Sequence, residues 1–145
     1  GRVPPAEAEM ARRHAAIVAA GFPYAVASTG GAILGYAYAQ AFRARPAYRY
    51  TVEDSIYIAP EARGRGVGKA LLARLVEDCT ALGLRQMIAV IGDSPRQQSS
   101  IGLHQSQGFE VVGRLPSVGY KHGRWLDSVQ MQRSLGPGDG SAPTT

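Results

Sequence analysis

The sequence predicts a single α/β domain with a mixed, mostly antiparallel sheet around a central βαβ unit. Three consecutive segments carry this prediction. Apolar residues alternate along 50–58, as they do on one face of a strand. They recur at three- to four-residue spacing through 66–82, which predicts an amphipathic helix, and 87–91 is an apolar run typical of a buried strand. Strand, helix and strand in this order give parallel strands joined by a right-handed crossover.

Helix-forming composition, period-two patterning and glycine or proline breaks define the other segments. They predict a helix over 6–20, strands over 24–28 and 32–39, a short helix over 99–107, and strands over 109–115 and 125–133. We expect 117–124 to be a long connection. The low-complexity segment 136–145 has nothing to bury and is expected to be a disordered tail, which leaves a domain over 1–135.

Composition excludes several classes of protein. Hydrophobic residues form 45% of the chain and charged residues 19%, a normal globular balance. No apolar run approaches the roughly 18 residues of a membrane span, and the first residues lack a secretory signal, so we expect a cytoplasmic protein without a membrane partner. The single cysteine, Cys79, excludes an internal disulfide and lies on the apolar helix stripe. A net charge of +5 favours an anionic ligand, but the arginines form no dense nucleic-acid-binding block.

A glycine-rich loop with the sequence RGRGVGK lies between a predicted strand and the predicted helix. Unpaired backbone N–H groups and the helix dipole attract anions at such a junction, and glycines let phosphate oxygens approach. The Walker pattern fails at Arg63 and Ala70, and the dinucleotide pattern fails at Lys69. Arg-x-x-Gly-x-Gly fits completely; the alternative is a glycine-rich turn without a ligand. The predicted phosphate-binding residues are Arg63, Gly64, Arg65, Gly66, Val67, Gly68 and Lys69.

This pattern resembles the pyrophosphate loop of the GNAT superfamily, which binds acetyl-coenzyme A. Other segments make the resemblance more specific, and they are 50–58 (YTVEDSIYI), 89–92 (AVIG), 100–104 (SIGLH), 108–109 (GF) and 119–125 (GYKHGRW). Together they resemble the phosphinothricin and methionine sulfoximine N-acetyltransferases over roughly residues 4–135. The resemblance implies metal-free acetyl transfer from acetyl-coenzyme A to the α-amine of phosphinothricin, methionine sulfoximine or methionine sulfone. It also implies a homodimer and a setting in antibiotic or herbicide resistance.

Two departures from the family accompany this resemblance. Similar enzymes begin with a further strand and helix before the segment that matches Pro4, and this chain lacks them. Since that part contributes to the amino-acid pocket, the residues present indicate the identity of the cofactor more directly than the identity of the substrate. Gln97 stands where the family usually places an asparagine that contacts the cofactor, and we expect a weakened or rearranged contact there.

The resemblance also implies roles for two ionisable residues. Glu53 would be the general base, acting through water, with a pKa raised by partial burial. The alternative is a solvated glutamate, or one paired with Arg43 or Arg45. His104 would take a catalytic part, at a position where many GNAT enzymes have a tyrosine that protonates the departing thiol, because imidazole can donate or accept a proton near neutral pH; the alternative is a structural histidine.

Other residues are expected to bind the cofactor or the amine. Backbone amides of Ile56, Tyr57 and Ile58 would bond the pantetheine arm, and Ser100 would either touch the cofactor or cap its helix. The substrate-binding candidates are Arg43 and Arg45, suited to a carboxylate or phosphinate, and Tyr120. The arginines are alternatively an exposed cationic loop, and Trp125 lines the pocket or belongs to the core.

Two further classes of function stay open at this point. One is a GNAT enzyme that acetylates another amine, such as a peptide N-terminus. The other is a non-catalytic module, either an acyl-coenzyme A sensor or an RNA-binding domain. Glu53 beside an intact loop favours the enzyme, because binding alone needs no base.

Overall fold

The computed structural model describes residues 5–144, in which three α-helices and six β-strands occur. In chain order they are α1 (Pro5–Ala19), β1 (Tyr24–Thr29), β2 (Ala32–Ala41), β3 (Thr51–Ile58), α2 (Val67–Ala81), β4 (Gln86–Gly92), α3 (Gln97–Ser106), β5 (Glu110–Lys121) and β6 (Arg124–Ser134). The first four residues of the predicted domain and the last residue of the predicted tail lie outside the described range. Within that range, no helix is both long and apolar enough to span a membrane.

The strands form one mixed sheet in the order β1-β2-β3-β4-β6-β5. Only β3 and β4 run parallel, with α2 as their crossover, and the other neighbours are antiparallel. Gly35 of β2 faces Leu71 of α2, whereas Tyr24 of β1 meets His14 of α1. The two helices therefore cover opposite faces of the sheet, and the predicted α/β class with its βαβ centre is confirmed.

The core lies between α2 and the sheet. Leu71, Leu72, Leu75 and Cys79 are buried there with residues of β3, β4 and β6. Leu82, which the apolar spacing assigned to the same stripe, is 55% exposed because it follows the end of α2. Burial raises the pKa of the Cys79 thiol to about 12, so this cysteine is a packing residue with little thiolate character.

The segment 117–124 is not the long connection that we predicted. β5 continues to Lys121 and β6 begins at Arg124, joined by a tight turn at His122 and Gly123 with φ of 52° and 76°. Gly119 and Gly123 indicated a break in this segment. β5 nevertheless continues through Pro116 and Gly119 up to the turn that contains Gly123, and proline is tolerated there because β5 is an edge strand. An irregularity at Ser117, whose N–H donates to Asp127 Oδ1 at 2.9 Å, absorbs the mismatch in register.

Residues 136–142 also differ from the expected disordered tail. The Arg85 guanidinium donates to the carbonyl oxygens of Gly138, Ser141 and Ala142 at 2.7, 2.9 and 3.1 Å. The Leu135 N–H in turn donates to the Arg85 carbonyl at 2.9 Å. One arginine with several donors therefore holds a segment that has little apolar surface of its own, a contact that composition does not reveal.

Substitution of Gly35 tests whether β2 and β3 approach too closely at this position to admit a side chain. A Cβ atom at this position would lie 2.6 Å from the Tyr57 carbonyl oxygen, so we expect Gly35→Ala to lower the free energy of unfolding by about 1–3 kcal/mol. The matched control is Gly102→Ala in α3, where an added Cβ meets nothing within 4 Å. Urea denaturation of both variants provides the measurement, and equal stability of the two would contradict the packing argument.

Candidate active site

The site begins where β3 separates from β4. Only three residue pairs join the two strands, and the last pair is Glu53 with Ile88. Beyond this pair, β3 continues to Ile58 and β4 continues to Gly92, but the two strands no longer pair with each other. A wedge-shaped gap therefore opens in the middle of the sheet.

The main chain of β3 presents polar groups to this gap. Ala59 N donates to Leu34 O at 2.8 Å, and Phe42 N donates to Thr51 O at 3.3 Å. Odd-numbered residues of β3 thus direct their peptide groups to β2, and by alternation Ile56 and Ile58 direct theirs into the gap. The peptide group of Tyr57 faces β2 by the same alternation, although the residue lines the cleft.

The glycine-rich loop forms the N-terminal end of α2. Gly64 and Gly66 have φ of 77° and 79°, the left-handed region that glycine adopts without strain. The first hydrogen bond of the helix runs from Ala70 N to Gly66 O at 3.1 Å, and no side chain caps the helix. The amides of Val67, Gly68 and Lys69 precede that bond and lie at the positive end of the helix dipole, as an anion site requires.

Loop, strand end and α3 enclose a cleft of about 360 Å³. Ten predicted residues line it, namely Ile56, Tyr57, Ile58, Arg63, Gly64, Gly66, Val67, Gly68, Lys69 and Ser100. Four lining residues were not predicted, namely Ala62, Arg96, Ser99 and Leu103. Arg65 is exposed and does not line the cleft.

Gly68 has a packing role that the loop pattern did not reveal. A Cβ atom there would lie 3.1 Å from Ile58 Cδ1 and 3.2 Å from Leu103 Cδ2. The absence of a side chain lets the start of α2 sit against both the end of β3 and α3. The three walls of the cleft meet at this glycine.

The two predicted polar contacts from the α3 region have different outcomes. Gln97 does not line the cleft, and its amide nitrogen donates to the Gly92 carbonyl oxygen at 3.3 Å. Ser100 does line the cleft. Its N–H donates to Arg96 O at 2.9 Å, so it lies inside α3 and does not cap that helix.

Glu53 is half-buried at the closed end of the gap. Burial, and secondarily the charge of Asp54, raise the pKa of its carboxyl above the ordinary value. Among the described side chains, neither Arg43 nor Arg45 forms an ion pair with it. Glu53 lies three residues before Ile56, about 10 Å along the strand.

A row of tyrosines, not predicted from the sequence, lies on the same sheet face as Glu53. Tyr57 of β3 stacks on Tyr36 of β2 with ring centroids 5.3 Å apart, and Tyr24 stacks on Tyr38 at 5.5 Å. Tyr38 pairs with Ser55, and the next pair on this face is Gln40 with Glu53. An aromatic wall therefore leads from the cleft to the carboxyl group; alternation of Tyr36 and Tyr38 along β2 was the available signal.

His104 is placed differently from a cleft acid. Its side chain is 4% exposed, with Nε2 lying 2.8 Å from Asp54 Oδ2 and Nδ1 lying 2.8 Å from Ser100 O. Burial lowers the pKa of the imidazole, but the hydrogen bond and charge of Asp54 outweigh it, and the pKa is raised overall. Both ring nitrogens are engaged and His104 does not line the cleft, so the geometry does not favour protonation of a thiolate by this residue.

The predicted substrate residues lie outside the cleft. The Arg43 guanidinium stacks over the Phe42 ring at 4.9 Å, and Arg43 and Arg45 are exposed just beyond the end of β2. Tyr120 is 63% exposed near the tip of the β5–β6 hairpin and packs on the edge of Trp125 at 4.9 Å. Trp125 is equally exposed and does not belong to the core.

A sheet that splays beside a glycine-rich helix start defines an acyltransferase architecture, and comparison with known proteins agrees. Residues 3–109 match the model of the acetyltransferase (GNAT) family. The chain belongs to that family.

Individual relatives in this family carry names that specify an activity. A phosphinothricin N-acetyltransferase from Alcaligenes faecalis is 52% identical over 97% of this chain and 71% of its own length. An L-methionine sulfoximine/L-methionine sulfone acetyltransferase from Pseudomonas aeruginosa is 45% identical over 81% of this chain and 67% of its own. The crystal structure of a GNAT superfamily phosphinothricin acetyltransferase from Sinorhizobium meliloti, in complex with AcCoA, aligns with a TM-score of 0.90 at 59% identity. That alignment covers 98% of this chain and 76% of the other.

Gly66 provides a test of the loop as an anion site. We expect Gly66→Asp to abolish binding of coenzyme A, because a carboxylate would enter the phosphate nest. Gly66→Asn is the matched variant, since asparagine tolerates positive φ without the charge and should bind more tightly than Gly66→Asp. Isothermal titration calorimetry measures both affinities.

Gly30→Asp controls for backbone strain in this comparison. Gly30 lies in the β1–β2 turn with φ of 54°, and a Cβ atom added there would meet nothing within 4 Å. This variant should bind coenzyme A as the unmodified protein does. Normal binding by Gly66→Asp would contradict the loop assignment.

Proposed function

We propose that this chain is an acetyl-coenzyme A-dependent N-acetyltransferase that acetylates the α-amine of a small amino-acid-like substrate. Phosphinothricin, methionine sulfoximine and methionine sulfone are the candidate substrates, by analogy with the names of the relatives. The observation that carries the proposal is the continuity of the loop amides at the start of α2 with the open edge of β3.

The donor fits this cleft in two parts. The amides of Val67, Gly68 and Lys69, with Arg63 beside them, suit a pyrophosphate. The peptide groups of Ile56 and Ile58 suit the amide-containing pantetheine arm, which would extend the β3 edge as a further strand would. A thioester at the end of that arm would then point toward Glu53.

Glu53 is the proposed general base. An amino acid is protonated at neutral pH, and its ammonium must lose a proton before nitrogen attacks the thioester carbonyl. A carboxylate with a raised pKa accepts that proton, through water, better than an ordinary surface glutamate. The C–N bond forms as the C–S bond breaks, and solvent returns a proton to the thiolate.

Transfer is direct, without an acyl-enzyme intermediate. Cys79 is the single cysteine of the chain, it is fully buried in the core, and its thiol has a pKa of about 12. Such a thiol is neither accessible nor ionised at neutral pH. Both substrates would therefore bind before the acetyl group moves.

Arg43 and Arg45 are the proposed partners for the acidic group of the amine substrate. They lie at the end of β3 that is closer to Glu53, because Phe42 N bonds Thr51 O there. Both guanidinium groups are exposed, and bidentate binding of a carboxylate or phosphinate suits them. Tyr120, on the hairpin that leaves the sheet, is proposed as a further substrate contact.

We also propose a homodimer as the working assembly. The β5–β6 hairpin exposes Val118, Tyr120 and Trp125 by 60–63% each, apolar area that a second copy would cover. Light scattering after size-exclusion chromatography measures the assembly. A monomer at micromolar concentration would contradict this part of the proposal.

The substrate test is a panel of amines incubated with the chain and acetyl-coenzyme A. Phosphinothricin, methionine sulfoximine and methionine sulfone are expected to be acetylated, with mass spectrometry locating the acetyl group on the α-nitrogen. Acetylation of peptide N-termini without turnover of these amino acids would replace the narrow proposal with the broader GNAT activity. Absence of any heat from coenzyme A would overturn the enzyme assignment itself.

Substitution of Glu53 tests the base. We expect Glu53→Ala and Glu53→Gln to lower turnover by roughly 100-fold or more while cofactor affinity is kept, since a general base contributes about that factor. Glu77→Gln, on the exposed side of α2, is the matched control. Unchanged turnover in Glu53→Gln would remove Glu53 from the mechanism.

The pH dependence of the reaction has a definite sign. Glu53 must be ionised to accept a proton, so kcat/KM should fall as pH is lowered through its pKa. Because burial raises that pKa, the fall should begin at higher pH than it would for a solvent-exposed glutamate, whose pKa is about 4.3. The acidic limb should be missing from the residual activity of Glu53→Gln.

A further inference from the structure

Asp54 is the first residue of β3 beyond the last residue pair that joins this strand to β4. Its side chain points to the opposite face from that of Glu53, and the residue is 7% exposed. Its Oδ2 lies 2.8 Å from Nε2 of His104, which is fifty residues away in sequence. A side-chain bond to α3 therefore takes the place of the next strand–strand contact.

The imidazole is held on its other sides as well. Nδ1 must donate to the Ser100 carbonyl oxygen at 2.8 Å, because a carbonyl only accepts. The Phe109 ring packs edge-on against the imidazole at 4.9 Å, and Phe109 N donates to His104 O at 3.0 Å. The carbonyl that His104 binds belongs to a residue that lines the cleft, together with Ser99 and Leu103.

We propose that Asp54 and His104 act as a positioning pair that sets the width of the cleft by fixing the distance between β3 and α3. The pair ties the strand that carries Glu53, Ile56 and Ile58 to the helix that forms the facing wall of the cleft. His104 is thus a positioning residue for acetyl transfer, and Asp54 is a further one. This inference rests on the proposed function.

The same geometry argues against proton donation by His104 to the leaving thiolate. A general acid must come within about 2.6–3.2 Å of the atom that it protonates. Each ring nitrogen of His104 is already directed at an interior oxygen, Asp54 Oδ2 or Ser100 O. Delivery of either proton to the cleft would break the bond that joins α3 to β3 through Asp54, or the bond within α3 that orients the imidazole.

Neutral substitutions separate positioning from proton transfer. In His104→Gln the amide nitrogen can still donate to Asp54. In Asp54→Asn the amide can donate to the imidazole. Neither variant keeps an imidazole and a carboxyl group that could exchange a proton with each other. We expect both variants to keep kcat within about 10-fold of the unmodified protein, whereas loss of a general acid costs roughly 100-fold to 10,000-fold. The pH profile of kcat should keep its shape in His104→Gln.

Alanine substitutions remove the tie itself. We expect His104→Ala and Asp54→Ala to raise KM for acetyl-coenzyme A and to weaken coenzyme A binding in calorimetry by roughly 10- to 100-fold, the effect of a misplacement remote from the chemistry. His14→Gln and Asp78→Asn are the matched controls, because both side chains lie outside the cleft. Circular dichroism and thermal melts establish which variants are folded.

Several outcomes would overturn the inference. A folded His104→Gln that loses 100-fold or more in kcat with unchanged coenzyme A affinity, and that also loses a limb of its pH profile, would make His104 the acid. If the neutral variants do not fold, the unmodified protein decides: coincidence of the His104 ring titration, followed by NMR, with a limb of kcat overturns the inference, and independence supports it. Lack of coenzyme A binding by the unmodified protein would overturn the proposed function as well, whereas the other results concern this pair alone.

Discussion

Main-chain hydrogen bonding between β3 and β4 ends at Glu53 and Ile88, and the rest of the site depends on that early end. The N–H and C=O groups of β3 that would bond to β4 in a continuous sheet face a gap instead. A buried edge of this kind is costly unless something else bonds to it. The Asp54–His104 bond joins β3 to α3 at the apex of the gap. An amide-containing ligand is suited to bond the free main-chain edge farther along, at Ile56 and Ile58.

Glu53 and Asp54 show how one strand gives adjacent carboxyl groups different chemistry. Their side chains point to opposite faces because they are neighbours in a strand. Glu53 lies on the tyrosine-lined face without a partner among the described side chains, and its pKa rises with burial. Asp54 lies on the α3 face, where His104 bonds it. Position relative to the sheet, and not residue type, separates a candidate base from a structural anion.

The sequence was sufficient for features that depend on local spacing. The loop from Arg63 to Lys69, the amphipathic α2 and the buried β4 are each encoded within one short segment, so glycine placement and apolar periodicity predicted them. The role of His104 could not be predicted in this way, because its partner Asp54 belongs to a distant segment and the imidazole turns inward only in the folded chain. The contacts of residues 136–142 were not predictable for the same reason, because the arginine that binds them, Arg85, is about fifty residues away in sequence.

The burial of Cys79 has a practical consequence for measurement. It is the one thiol that the sequence contains, it lies in the packed core, and its high pKa leaves almost no thiolate. A reagent that detects free sulfhydryl groups would therefore report coenzyme A released during turnover, with almost no signal from the native protein. The same inertness makes the background clean for an introduced surface cysteine, so that a fluorophore or spin label attached there would report on one chosen position.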